Sequence, residues 1–265
     1  MLFAIPFLQI DPVLFSIGPF AVRWYALSYV AGLLFGFQLL RRRAAQSSDD
    51  LSADNIDDFL VWATIGIILG GRLGYVLFYN FQYFLANPLE IFATWRGGMS
   101  FHGGLLGVVI AGLLFCRRHK LSPLILGDML ACAAPIGLFF GRIANFINGE
   151  LYGRVTDAPW GVVFPYGGPE PRHPSQLYEA FLEGLVLFVV LNIMWRSEKV
   201  RANPGVLTGS FIAGYAIARM IVELFRQPDS HIGFLTLGST MGQWLSVPML
   251  IIGVGMIIWG SRRTA

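Results

Sequence analysis

Seven runs of predominantly apolar residues succeed one another along the chain, near 19–40, 57–79, 99–116, 122–142, 176–195, 205–225 and 240–260. Each is long enough, or nearly so, to cross a bilayer as a helix, which takes roughly 20 residues. The pattern predicts an all-α polytopic membrane protein with about seven transmembrane helices, forming a single membrane-embedded domain over residues 1–265. Leu2 to Phe20 is also apolar, but Pro6, Asp11, Pro12 and Pro19 break it, so this segment is expected along the membrane interface. Phe81 to Trp95, with Pro88 and Glu90, reads as an amphipathic or re-entrant arm. Residues 143–175 are rich in Gly, Pro, Asn and aromatics, and Trp160 to Phe164 among them reads as a short strand. These 33 residues are too few for a core of their own and are expected to form a small external head leaning on the helices. Glycines recur at four-residue spacing, as Gly66, Gly70, Gly74; Gly103, Gly107; Gly137, Gly141; and Gly205, Gly209. This small-xxx-small pattern lets membrane helices approach closely.

Composition agrees with the pattern. Of 265 residues, 55% are hydrophobic and 13% charged, where soluble domains carry roughly 25% charged residues. The net charge of +3 is small, no nucleic-acid partner is expected, and the distribution of charge matters more than its sum. Loops after the first, third, fifth and seventh runs hold eleven of the 19 Lys and Arg residues: Arg41, Arg42, Arg43; Arg117, Arg118, Lys120; Arg196, Lys199, Arg201; Arg262 and Arg263. The alternate loops hold Arg96, Arg154, Arg172 and Arg226. The positive-inside rule puts the eleven in the cytoplasm, with the N-terminus outside and the C-terminus inside. Cys116 and Cys132 fall in or beside apolar runs and read as small buried hydrophobes. No CxxC or Cys/His spacing suggests a metal site, and the N-terminus lacks the basic head and cleavage site of a secretory signal peptide.

The remaining cations, Arg23, Arg72, Arg142 and Arg219, lie within or at the ends of the predicted spans. An arginine there needs a partner, a snorkelling route or a wet cavity. For Arg23 and Arg72, snorkelling or an internal ion pair competes with function. Four polar clusters gather at the predicted outer face. They are Arg23-Trp24-Tyr25; Ser100 to Gly107 around His102; Arg142 to Arg154 with Arg172 to Gln176; and Tyr215, Arg219 and Glu223. The last three residues share one helix face, because i, i+4 and i+8 drift by only about 40° per step; Glu223 can pair with Arg219, and the pair can be purely structural. His102 opens a glycine-rich helix whose free amides favour an anion, and it is either a candidate base or donor there or simply solvated. His119 is expected to be inert. No HExxH, GxSxG or Walker pattern occurs, against a zinc hydrolase, an α/β-hydrolase or an ATPase. Arg142 and Arg219 suit a phosphate, through planar, permanently charged forks. His102 can move a proton, and Tyr25, Asn145, Asn148 and Glu150 can hydrogen-bond. A phosphate at that depth belongs most simply to a phospholipid, so the residues predict an enzyme acting on a membrane lipid.

These clusters resemble the bacterial prolipoprotein diacylglyceryl transferase family. The stretch Gly-Arg-x-Ala-Asn-Phe-x-Asn-x-Glu-x-x-Gly is matched at Gly141, Arg142, Ala144, Asn145, Phe146, Asn148, Glu150 and Gly153. His102 to Gly107, Arg172 to Glu179, and Tyr215-x-x-x-Arg219-x-x-x-Glu223-x-x-Arg226 also look like the family. The resemblance implies transfer of a diacylglyceryl group from phosphatidylglycerol to the lipobox cysteine thiol of a prolipoprotein signal peptide, in the bacterial inner membrane, with glycerol phosphate leaving. It implies catalytic roles for His102, Arg142 and Arg219. His102 would assist thiol deprotonation, Arg142 would hold the lipid phosphate, and Arg219 would take up charge on the leaving group. Tyr25, Asn145, Asn148, Glu150 and Gly153 would contact the headgroup, and Tyr215 and Glu223 would hold Arg219. It also raises Asp128, which could equally be structural, and calls for no cofactor. Two rivals carry the same arginines: another phospholipid-dependent headgroup or phosphate transferase, and a lipid or anion transporter with a midplane site.

Overall fold

The computed structural model describes residues 5–8, 10–18, 20–45, 51–228 and 233–262. Residues 2–4, 9 and 19 of the predicted interfacial segment, and Arg263 of the basic C-terminus, lie outside them. The long helices are α1 (Trp24–Ala44), α2 (Ala53–Phe78), α3 (Phe101–His119), α4 (Pro123–Ile147), α5 (Ser175–Trp195), α6 (Val206–Val222) and α7 (Met241–Ser261). Five of them, α2, α3, α4, α5 and α7, are long and apolar enough to cross a membrane, so the chain is a multi-pass, mainly helical membrane protein. The 17-residue α6 is apolar but shorter. α1 carries Tyr25, Ser28, Tyr29 and Gln38 along its length and three arginines in its last turn, and does not reach the same apolarity.

The fold is not purely helical. The first apolar run was expected to be helical from residue 19, yet β2 (Val13–Ile17) and β3 (Phe20–Arg23) form an antiparallel hairpin and α1 starts only at Trp24. β1 (Ile5–Pro6) pairs in parallel with β4 (Val162–Val163), inside the stretch expected to hold a strand. Arg23 is exposed at the end of β3. α4 also runs five residues past its expected end and carries Arg142 and Asn145 inside the helix.

The chain divides into two compact units, Leu39–Leu126 and the remainder. In the unit 39–126, α2 and α3 pack through glycines. A Cβ on Gly66, Gly70 or Gly74 would press into the backbone of Gly103 or Gly107, so only glycine permits this approach. Arg72, 6% exposed, has backbone carbonyls as its partners, and no ion pair of it occurs among the described residues. Its guanidinium donates to the carbonyls of Glu90 (2.5 Å), Ile91 (2.7 Å), Gly97 (2.7 Å) and Gly98 (3.1 Å). These belong to the stretch after the short helix Phe81–Ala86, which holds two brief 3-10 turns, Pro88–Phe92 and Thr94–Arg96, and the guanidinium ties the two turns and the glycines after them to α2. Gly98 there adopts φ +80°, and a Cβ would strike the Arg72 guanidinium. Ser100 then caps α3 by accepting from the Gly103 amide (3.2 Å).

In the larger unit, Cys132 of α4, Leu187 and Leu191 of α5 and Leu207 of α6 form a buried cluster; Cys132 there and Cys116 in the smaller unit are both buried and form no disulfide among the described residues. Gly209 and Gly253 bring α6 and α7 into backbone contact. α1 comes close to α4 at Gly137, where a Cβ on Gly32 would fall 3.0 Å from the Gly137 Cα, whereas a Cβ on Gly137 itself or on Gly141 meets open space. Asp128, 4% exposed, accepts from the Gly205 amide (2.8 Å), the Thr208 amide (2.7 Å) and the Thr208 hydroxyl (2.7 Å). It therefore caps α6 from a neighbouring helix, satisfying amides that the helix leaves free. Along α4 it lies about 21 Å from Arg142, at 1.5 Å of rise per residue. Asp128→Ala is expected to destabilise the protein by about 1–3 kcal/mol, read as a lower melting temperature in detergent, with the folded fraction otherwise unchanged.

Candidate functional site

α5 is the element that builds the site. Over Ala180–Val186 it widens into a π-helical stretch, a distortion common at functional positions. Gly184 in that stretch has no room for a Cβ beside Phe139 of α4, so α5 lies directly against the part of α4 that leads to Arg142. Glu179 and Glu183, both fully buried, come from this stretch and from the residue just before it.

Three arginines from two directions meet these carboxylates. Arg219 Nη1 lies 2.6 Å from Glu179 Oε1 and its Nη2 lies 2.6 Å from Glu223 Oε1. Arg226 Nη1 lies 3.2 Å from the same Glu179 oxygen. Arg142 reaches Glu179 Oε2 at 3.3 Å and Glu183 Oε2 at 3.4 Å. The guanidinium side chains retain 12–17% exposure. Three guanidinia and three carboxylates balance formally, as burial requires. The pairing is unequal: Arg219 is gripped at charge-assisted distances on both sides, while the contacts of Arg142 are long. Tyr215, one turn before Arg219, sits within electrostatic reach of Arg142, Arg219, Glu179 and Glu183. Such buried pairs add little net stability over an apolar packing, which makes a functional reason for them the stronger one.

A second polar group adjoins the C-terminal end of α4. Glu150 Oε1 accepts from Asn145 Nδ2 (2.9 Å) and Asn148 Nδ2 (3.2 Å). The backbone behind it is held by Gln176, whose Nε2 donates to the Glu150 carbonyl (2.5 Å), and by Ser175, whose hydroxyl donates to the Leu151 carbonyl (3.0 Å). Leu151 sits at φ +57°, a conformation a non-glycine residue adopts only when its surroundings impose it. The Tyr25 hydroxyl is 2.9 Å from that of Tyr29 and within electrostatic reach of Glu150 and Arg142.

Eight of the predicted site residues, Tyr25, Arg142, Asn145, Asn148, Glu150, Tyr215, Arg219 and Glu223, thus converge in the larger unit. Gly153 has a packing role there: a Cβ would strike the Phe225 carbonyl and His173. Arg154 donates to the carbonyls of Arg226 (2.9 Å) and Glu223 (2.9 Å), closing the C-terminal end of α6. His173 lies against this corner. Its partial burial, and then the charge of Arg154, hold its imidazole below the usual range, and its Nδ1 lies 3.1 Å from the Tyr178 hydroxyl. His102 belongs to the smaller unit, where its ring meets Phe101 edge-on. Among the described residues no group of three or more His, Cys, Asp or Glu is arranged to hold a metal.

Sequence reasoning missed Glu179, Glu183 and Arg226 as members of the cluster. Two acids four residues apart in an apolar run are as costly as the arginines, and weighing them as the arginines were weighed would have found both.

The geometry can be set beside known proteins. Residues 12–259 match the family model described as prolipoprotein diacylglyceryl transferase. A protein of Rhodospirillum rubrum is 58% identical over 99% of this chain and 96% of its own length. One of Paramagnetospirillum magneticum is 55% identical over 100% of this chain and 99% of its own. One of Azospirillum brasilense is 56% identical over 99% and 98% respectively. All three bear the name phosphatidylglycerol–prolipoprotein diacylglyceryl transferase. A family match across nearly the whole chain, with relatives above half identity end to end, makes this protein a member of the prolipoprotein diacylglyceryl transferase family.

Proposed function

We propose that the protein transfers the diacylglyceryl group of phosphatidylglycerol to the lipobox cysteine thiol of prolipoproteins, the first step of lipoprotein modification. A carbon–sulfur bond forms at the glycerol carbon bearing the phosphate, and that carbon's bond to oxygen breaks. Glycerol phosphate leaves, and the thiol proton passes by way of His102 to solvent. The observation that carries this reading is the unequal grip on the two central arginines. Arg142, held by long contacts, is free to turn toward an incoming phosphodiester. Arg219, fixed between Glu179 and Glu223, is pre-aimed and needs no reorganisation as charge develops on the leaving group.

Tyr25, Asn145, Asn148 and Glu150 orient the glycerol headgroup. His102 is the group assigned to assist thiol deprotonation, since the thiolate is the nucleophile and a free thiol ionises only near pH 8.5. The enzyme lies in the bacterial inner membrane as one transferase domain with seven spans, α1 to α7, the N-terminus outside and the C-terminus in the cytoplasm. The residues between α4 and α5, 148–174, form a head on the outer side, and 81–95 an arm along the interface. The basic residues flanking alternate helices support this orientation.

The test uses vesicles of phosphatidylglycerol labelled either in the acyl chains or in the headgroup glycerol, with a lipobox peptide. Acyl label is expected on the peptide and headgroup label in water-soluble glycerol phosphate, with neither transfer when the peptide cysteine is serine. Headgroup label on the peptide, or acyl transfer without the thiol, would overturn the proposal.

A further inference from the structure

Glu223, one of the three carboxylates of the ion-pair cluster, sits against α7, which carries none of the arginines. Its side chain, 4% exposed, lies on the first turn of α7. A Cβ built on Gly242 would fall 2.5 Å from Glu223 Oε1, 2.6 Å from Cδ and 3.0 Å from Cγ. Glu223 Oε1 is the oxygen that holds Arg219 Nη2 at 2.6 Å. Thr240 caps this turn by accepting from the Gln243 amide (3.3 Å), and Gln243 accepts from the Thr240 amide in return (3.1 Å), so the backbone at Gly242 is pinned and cannot yield. The positive end of α7 favours a carboxylate in that place. Gly242 has no positive φ that would demand glycine, and alanine would be the better helix former. Its missing side chain is explained by the carboxylate it admits.

We propose that Gly242 is a positioning residue for the transfer reaction. Its bare backbone seats Glu223, which in turn fixes Arg219 toward the leaving phosphate. This rests on the reading of Arg219 given above. The atoms nearest a Cβ at 242 all belong to the Glu223 side chain, so the fold survives while the carboxylate is pushed off Arg219.

Gly242→Ala keeps every charge of the cluster and is expected to melt in detergent as one cooperative transition within a few degrees of the wild type, the better helix propensity of alanine offsetting part of the cost of the displaced ion pair. It should lower kcat with phosphatidylglycerol vesicles and a lipobox peptide by about tenfold to a hundredfold, the scale of a misplaced catalytic group. KM for the lipid should change less than threefold, because Arg142 binds the phosphate. Adding Glu223→Asp shortens the side chain by one methylene and makes room for the new Cβ. The double variant is therefore expected to turn over faster than Gly242→Ala alone, a coupling that independent defects do not produce. A wild-type kcat for Gly242→Ala, loss of its melting transition, or strictly additive defects in the double variant would each overturn the inference. Arg219→Ala, assayed alongside, separates the two levels. Full activity there sinks the reading of Arg219 itself, whereas inactivity there with a normal Gly242→Ala sinks only the seat.

Discussion

Arg219→Ala is expected to lower kcat/KM for transfer to a lipobox peptide by roughly 10³-fold, the effect of deleting a pre-aimed donor at developing negative charge. The departing phosphate gains charge as its bond to carbon lengthens, and Arg219 is held at 2.6 Å on each side, by Glu179 and by Glu223. Removing it also strips partners from two buried acids, so lost activity must be separated from lost fold. Arg219→Lys makes that separation. Lysine keeps the positive charge but is a single point, and cannot span two carboxylates while presenting a free face. Its melting temperature should stay near wild type while kcat/KM falls by about 10²-fold. Wild-type turnover by the lysine variant would mean that only charge matters at this position, and near-normal turnover by the alanine variant would remove Arg219 from the mechanism.

The pairing that places Arg219 was partly legible in the sequence. Residues 215, 219 and 223 fall on one helix face whatever surrounds them, so Arg219 with Glu223 follows from helical geometry alone. The glycine ladder of α2 and α3 was legible for a similar reason: four-residue spacing on two neighbouring helices leaves little else to do with the bare faces. Interactions between distant parts of the chain were not legible. Asp128 caps an amide 77 residues away and Arg72 serves carbonyls 18 to 26 residues away, and no periodicity encodes such partners. The hairpin before α1 was not legible because Phe20 to Val22 is apolar and nearly continuous with the helix, and short apolar runs do not distinguish strand from helix. At the site, the cations were weighed by what burial costs them and the acids of α5 were not. The arginines were therefore found without the carboxylates that hold them.

Glu179 is the acid with the most to lose. It meets Arg142, Arg219 and Arg226, and Glu179→Gln leaves three buried guanidinia facing a neutral amide. Removing one partner of a buried ion pair destabilises by about 3–5 kcal/mol, so the variant should melt well below the wild type in micelles of an uncharged detergent. The excess positive charge then sits where the lipid phosphate is proposed to bind. Phosphatidylglycerol supplies the missing anion and, binding the folded state alone, must raise its stability by linkage. Adding it should recover a larger share of stability in Glu179→Gln than the same lipid adds to the wild type. A zwitterionic phospholipid, which brings its own cation, should recover less. KM for phosphatidylglycerol should fall while kcat falls too, because the lipid is held more tightly and Arg219 has lost one of the two carboxylates that aim it. Equal stabilisation of variant and wild type by phosphatidylglycerol would mean that its phosphate does not reach these arginines, and would place the lipid site elsewhere in the protein.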